Sequence, residues 1–217
     1  MTFGYDAAIF DMDGTLLDSM RYWRYTSLEY LLKHHLPIQP DILTRMIDTS
    51  SRKLLGEVMS GLGLPYHLEE AVAELEGYMD RHYQADIQMK PCVPEFLHFL
   101  QTQGVKMCVA TAVTREIAVR ALEKQGIAHL FEFITDIHEF GLDKTQPEYF
   151  HVVARRLNCP IQRCMVFEDA LYSIQTAKTA GCQVCAIHDD TAHLQQAKIL
   201  ALADVYVRHY RELLPHE

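Results

Sequence analysis

Six short apolar runs are spread along the chain: "AAIFD", "KMCVAT", "FEFIT", "CMVFED", "CQVCAI" and "DVYV". Their length and apolar, often β-branched or aromatic content suit strands better than helices. Between most of them lie segments of helical spacing. Phe96, Leu97 and Leu100 form one; Ile117, Val119 and Leu122 another; Ile174, Ala177 and Lys178, ahead of Gly181, a third. Strands that alternate with helices are joined by crossovers, which makes them parallel and covers both faces of the sheet. The alternation predicts an α/β fold built on a Rossmann-like parallel sheet.

One long stretch breaks the pattern. From about Ser19 to Ile87 no strand signal is convincing, and three helical patterns take its place. Tyr25, Leu28, Leu31 and Leu32 mark the first. The second runs from Ile42, Leu43 and Met46 to Leu54, Leu55, Val58 and Met59. Leu68, Val72, Leu75 and Met79 mark the third. Prolines 37, 40, 65 and 91 and the Gly61/Gly63 pair punctuate them. The expected organisation is a core of residues 1–17 and 89–217, interrupted by a helical subdomain of residues 18–88. The linking segments, near Leu16–Asp18 and Asp86–Pro91, are read as a hinge.

Charge and cysteine usage narrow the partners. A net charge of -9 argues against nucleic acid and against anionic membranes, which reward basic patches. No apolar run approaches the roughly 18 residues that cross a bilayer. The start, "MTFGYDAAIF", lacks a basic region and a signal-like apolar segment, so a cytoplasmic protein is expected. Nothing demands a dimer, and a monomer is the expectation. Cys182 and Cys185 form a CxxC inside a strand-like run, where residues three apart face opposite ways. Buried structural thiols are the expected reading.

The chemistry concentrates at strand ends. Asp11 and Asp13, two apart on an extended segment, can point into one small volume, and Gly14 lets the chain turn at once. Glu168 and Asp169 add two acids at the end of another strand. Oxygen donors with no His or Cys beside them suit Mg²⁺, which favours a phosphate as co-ligand. In open parallel sheets, ligands bind beyond the carboxyl ends of the strands, where Asp11, Thr111 and Asp169 fall. A carboxylate facing a phosphate dianion at about 4 Å is repelled by roughly 8 kcal/mol at an effective dielectric near 20. Such a site needs cations: Mg²⁺ and one lysine, for which Lys144 in "GLDKTQPEYF" is the candidate. Thr111 and the N–H of Ala112 are candidate neutral donors to the phosphoryl oxygens.

With these residues in view, the chain resembles the haloacid dehalogenase superfamily. Asp11-Met-Asp13-Gly-Thr15 is similar to its first motif, Thr111 to its second, Lys144 to its third and Glu168-Asp169 to its fourth. The inserted helices resemble the cap of the β-phosphoglucomutase and phosphoglycolate phosphatase branch. The resemblance implies that Asp11 is the nucleophile and forms a phosphoaspartyl intermediate. It implies that Asp13 protonates the leaving oxygen and then activates water. It assigns Mg²⁺ to the Asp11 carboxylate, the Asp13 carbonyl and Asp169, with Glu168 in the outer shell. The expected activity is Mg²⁺-dependent hydrolysis of a small phosphorylated metabolite.

Three other readings stand beside this one. A sugar-phosphate mutase would use the same scaffold, but the resembling mutases carry a histidine and a lysine where this chain has Trp23 and Thr114. A receiver-like signalling module gives no reason for the long helical insertion. A catalytically silent, metabolite-binding module would keep the fold, yet no motif residue is missing. Within the insertion, Arg52 resembles a cap residue that reaches a substrate's distal anionic group, and Trp23 is a candidate pocket wall. A solvated Arg52 and a core-packing Trp23 are the plain alternatives. Arg21 and Arg115 are read as surface residues.

Overall fold

A computed structural model describes residues 4–42, 45–46 and 51–215, apart from the side chain of Arg52. The chain forms two compact units. One is the chain up to Asp18 together with everything from Gln88 onward; the other is Ser19–Ile87.

Among its described residues the Ser19–Ile87 unit has no strand; its helices include α1 (Met20–Lys33), α2 (Ser51–Gly61) and α3 (Leu68–Ala85), joined by turns and irregular segments. Its apolar cluster draws Tyr30 and Leu31 from α1, Leu54, Leu55 and Val58 from α2, and Ala71, Leu75 and Tyr78 from α3. Not every residue of the helical patterns faces inward. Tyr25 and Leu32 of α1 are 55% and 57% exposed. Thr26 and Ser27 are buried instead. The Thr26 and Ser51 hydroxyls each lie 2.7 Å from the Trp23 carbonyl and 3.0 Å from one another. This hydrogen-bonded seam, not an apolar stripe, sets which side of α1 meets α2. Leu68 is exposed as well, because the buried face of α3 begins a turn later at Ala71. The expected helix from Ile42 to Met59 crosses residues 43–44 and 47–50, which lie outside the described residues.

The second unit carries six parallel strands: β1 (Ala7–Phe10), β2 (Lys106–Thr111), β3 (Phe133–Asp136), β4 (Cys164–Glu168), β5 (Gln183–Ile187) and β6 (Val205–Val207). Each lies on one of the six apolar runs. Their order is β3-β2-β1-β4-β5-β6, so β1 pairs with both β2 and β4 and the order reverses beside it. Four consecutive buried residues in β1 are what a strand covered on both faces requires. The covering helices are α4 (Val93–Thr102), α5 (Arg115–Lys124), α6 (Pro147–Arg156), α7 (Leu171–Ala180) and α8 (Gln196–Leu202). Among the described residues, no helix is long and apolar enough to cross a membrane.

Side-chain alternation divides the core. Ala7 and Ile9 face one way and join Val166 and Val184 against Tyr149, Phe150, Ile174 and Ala177 of α6 and α7. Phe10 faces the other way and stacks on Phe167 at 4.4 Å between ring centres, with Phe96 of α4 edge-on to both. Phe167→Ala is expected to destabilise the protein by about 3–5 kcal/mol, because the emptied space is walled by rigid aromatic neighbours. Urea unfolding checks this; a loss below about 1 kcal/mol would contradict the packing described. Cys182 and Cys185 are buried, and burial pushes both thiols up to about 12. That disfavours the thiolate needed for metal binding or exchange.

Candidate active site

The first candidate residues lie where β1 ends. The Asp11 N–H donates to the Phe167 carbonyl at 3.0 Å, prolonging the β1–β4 pairing by one residue. The chain then turns sharply. Gly14 sits at φ +77°, a left-handed conformation that favours glycine, and its N–H donates to the Leu17 carbonyl at 2.9 Å. The N–H groups of Leu16 and Leu17 both return to the Met12 carbonyl at 2.9 Å. The turn presents Asp11, buried, and Asp13, half-buried, beyond the sheet. Leu17 then bridges Met89 antiparallel, so the chain leaving the turn is paired with the segment that returns at Gln88.

The neighbouring strands add the rest. Phe10 is level with Phe167 of β4, which brings Glu168 and Asp169 beside Asp11. One carboxylate oxygen from each of Asp11, Glu168 and Asp169 lies within 4.8 Å of the others. Lys144, 2% exposed, reaches into this cluster from the loop before α6 and donates to Asp11 Oδ1 and to Glu168 Oε2, each at 2.6 Å. The loop is shaped for this. Asp143 Oδ1 accepts the Thr145 N–H, Gln146 Oε1 accepts the Asp143 N–H, and Pro147 opens α6. Glu168 Oε1 accepts the N–H groups of Asp169 and Ala170 at 3.1 and 3.0 Å, so both oxygens of Glu168 are engaged. The Thr15 hydroxyl approaches Asp169 Oδ1 at 3.4 Å.

Three buried carboxylates and one buried ammonium do not balance. Burial, then the Glu168 charge, raises the carboxyl of Asp11 against the opposing pull of Lys144, and Asp13 adds to the rise. Burial, Glu168 and Asp11 raise Asp169 well above the carboxylate range. Burial acts the same way on Glu168, but its contacts with Lys144 outweigh it and hold the group low. Burial alone would lower the Lys144 ammonium; Asp11 and Glu168 raise it instead. Glu168 and Lys144 form the settled ion pair. Asp11 and Asp169 have no such partner of their own to balance their ionised forms, which a divalent cation would favour, and the all-oxygen donor set suits Mg²⁺. The residues fit the expected metal.

Thr111 ends β2, buried, and its Oγ1 accepts the Val113 N–H at 3.1 Å, which leaves the hydroxyl proton available to donate. Ala112 follows it, half-buried. Trp23 and Arg52 belong to the helical unit. Trp23 packs half-buried against that unit's apolar cluster, and the Arg52 side chain lies outside the described part. Two other groups escaped the sequence reading. Asp136, at the end of β3, accepts the N–H of Arg115 at 2.8 Å and those of His138 and Glu139 at 2.9 Å, fixing the start of α5. Its signal was an acid closing a strand, as at Asp11. The Lys90–Asp189 pair, at 3.0 Å, lies near enough to bear on Asp169, which Asp189 raises and Lys90 lowers. Nothing in the linear pattern joins residues 99 positions apart.

Comparison with known proteins agrees with this geometry. The sequence model described as haloacid dehalogenase-like hydrolase matches residues 8–187. The chain belongs to the haloacid dehalogenase-like hydrolases. It is 25% identical over 199 residues to the phosphorylated carbohydrates phosphatase of Thermotoga maritima, covering 89% of this chain and 92% of that protein. It is 27% identical over 213 residues to the validoxylamine A 7'-phosphate phosphatase of Streptomyces hygroscopicus subsp. limoneus, covering 98% of each. Among solved structures, CbbY of Rhodobacter sphaeroides superposes with a TM-score of 0.80 over 96% of each chain; at 18% identity this likeness concerns the fold. This haloacid dehalogenase-like hydrolase is also 26% identical over 187 residues to the phosphoglycolate phosphatase of Agrobacterium fabrum, and it shares its fold with the β-phosphoglucomutase of Clostridium difficile, at a TM-score of 0.73 and 22% identity.

Proposed function

We propose that this enzyme hydrolyses a small phosphorylated carbohydrate or polyol through a phosphoaspartyl intermediate, with Mg²⁺ as cofactor. The observation that carries the reading is the doubly bonded Lys144, which ties Asp11 to Glu168 at 2.6 Å inside a three-carboxylate cluster. Nucleophilic attack on phosphate needs a carboxylate held rigidly next to fixed positive charge, and Lys144 supplies the protein's share of it. The substrate class is drawn from the relatives named above.

In this reading Asp11 attacks phosphorus and the bond to the leaving oxygen breaks as Asp13 delivers a proton to it. Asp13 then takes a proton from the water that attacks the phosphoaspartate, which regenerates Asp11 and releases inorganic phosphate. The Thr111 hydroxyl and the Ala112 N–H donate to the phosphoryl oxygens. The metal is assigned to the Asp11 carboxylate, the Asp13 carbonyl and Asp169, and when bound it neutralises phosphoryl charge. Glu168, whose oxygens already serve Lys144 and two backbone N–H groups, acts from outside that set. Trp23 and Arg52 are assigned to substrate selection by the helical unit.

The test follows phosphorylated hexoses and polyols by phosphorus NMR, with and without Mg²⁺ and excess chelator. Inorganic phosphate is expected to appear only with Mg²⁺, and Ca²⁺ is expected to inhibit, because its longer bonds and higher coordination number suit a different geometry. The mutase reading loses ground at Trp23 and Thr114, neither of which brings a charge. β-Glucose 1-phosphate with a bisphosphate primer is therefore expected to give no glucose 6-phosphate. Isomerisation faster than phosphate release would replace hydrolysis by mutase chemistry. Turnover unchanged in chelator would remove the metal.

A further inference from the structure

A second, half-buried cation of the sheet unit, Lys90, has no part in the reaction just described. The Lys90 ammonium donates to the His188 carbonyl at 2.6 Å and to Asp189 Oδ2 at 3.0 Å, and the two side chains are only 12% and 5% exposed. The other oxygen of Asp189 accepts the N–H and the hydroxyl of Thr191 at 2.9 and 2.6 Å. His188 is itself held, its N–H donating to the Val207 carbonyl at 2.9 Å. The loop after β5 is thus a fixed acceptor for the ammonium.

The main chain of Lys90 faces the other way. Its N–H donates to the Leu16 carbonyl at 2.9 Å, and its neighbour Met89 bridges Leu17. Leu16 and Leu17 are the residues whose N–H groups close the turn on Met12, between Asp11 and the end of that turn. One residue therefore spans from the turn that bears Asp11 and Asp13 to the loop after β5. An ordinary surface lysine would keep its head in water; this one gives up most of its hydration for two fixed partners.

We propose that Lys90 is a positioning residue for the hydrolytic site, holding the Asp11–Leu17 turn in place through its pair with Asp189. Its kinetic consequence rests on the phosphatase reading; its geometry does not. Small displacements of a nucleophile are costly to rate, while binding made elsewhere on the substrate is untouched.

The experiment uses the full chain with Lys90→Met, Lys90→Arg, Asp189→Asn and the Lys90→Met/Asp189→Asn pair. Relative to wild type, Lys90→Met is expected to lower kcat by about 10- to 100-fold with KM within about twofold. Lys90→Arg is expected to recover most of the loss. Asp189→Asn should reproduce it, and the double variant should be no worse than either single one. Hydrogen exchange supplies a readout free of activity: the Leu16 and Leu17 amides should exchange at least tenfold faster in Lys90→Met and Asp189→Asn, with β2 amides unchanged. Unchanged exchange at Leu16 and Leu17 in the folded variants overturns the proposal. So does a kcat within threefold of wild type in both, and so does a loss of activity that merely tracks the unfolded fraction. A wild type that releases no phosphate would sink the phosphatase reading instead, and the exchange data would still decide the tether.

Discussion

Asp11→Asn is expected to abolish turnover, by about 10⁵-fold or more, while the protein stays folded. Loss of a nucleophile in other enzymes costs on that order, and the uncatalysed hydrolysis of phosphomonoesters is slow enough to leave no background. Asparagine keeps the acceptor for Lys144 but cannot form the acyl phosphate. The stability effect has a definite sign. Burial and Glu168 raise the Asp11 carboxyl above its ordinary value, so the neutral form suits the fold. The stability that this raised group contributes is present below the ordinary value, near 3.8, and is lost as pH rises through the raised one. At neutral pH without metal, the amide removes that penalty. The variant should therefore melt at or above wild type, and the difference should shrink toward pH 4. Calorimetry and a phosphate-release assay read the two parts. Activity within tenfold of wild type would sink the nucleophile assignment.

How much of this was legible in the residues depends on where their partners lie. All six strands sit on apolar runs, because a parallel strand buried on both faces must be apolar along its length, and that leaves a local trace. Three of the four motifs, at Asp11, Thr111 and Glu168-Asp169, fall at strand ends for a related reason: a polar residue that closes such a run has to emerge at the sheet edge, whereas Lys144 reaches the site from the loop before α6. Helix faces were less readable. Tyr25 and Leu32 follow helical spacing yet are exposed, since the seam of Thr26, Ser51 and the Trp23 carbonyl orients α1 through hydrogen bonds that a hydropathy pattern does not register, and Leu68 is exposed because the buried face of α3 begins at Ala71. Asp136 could have been found from its place at the close of "FEFITD". Lys90 and Asp189 could not, because their meeting depends on β5 lying two places from β1 in the sheet and on the return segment pairing with Leu16 and Leu17.

Lys144→Met should show how far the cluster depends on its one internal cation. The ammonium is 2% exposed and bonded to two carboxylates at 2.6 Å, so its removal leaves Asp11, Glu168 and Asp169 facing each other across less than 4.8 Å. Breaking a buried pair by deleting one partner costs about 3–5 kcal/mol, which for a chain of this size lowers Tm by roughly 10 °C. Methionine fills much of the same volume, so cavity formation adds little. Mg²⁺ is expected to restore part of the lost stability, since it answers the same excess of negative charge, and its stabilising effect should be larger on the variant than on wild type. The rate should not recover with it. The ammonium holds Asp11 on Oδ1 and offsets part of the roughly 8 kcal/mol repulsion between a carboxylate and an incoming phosphate dianion. A kcat lower by about three orders of magnitude corresponds to half of that figure, near 4 kcal/mol. Thermal melts with and without Mg²⁺, set beside kcat at saturating metal, separate the two effects. A variant that melts like wild type and turns over within tenfold of it would show that Lys144 is a bystander in the cluster, and the electrostatic account of the site would fall with it.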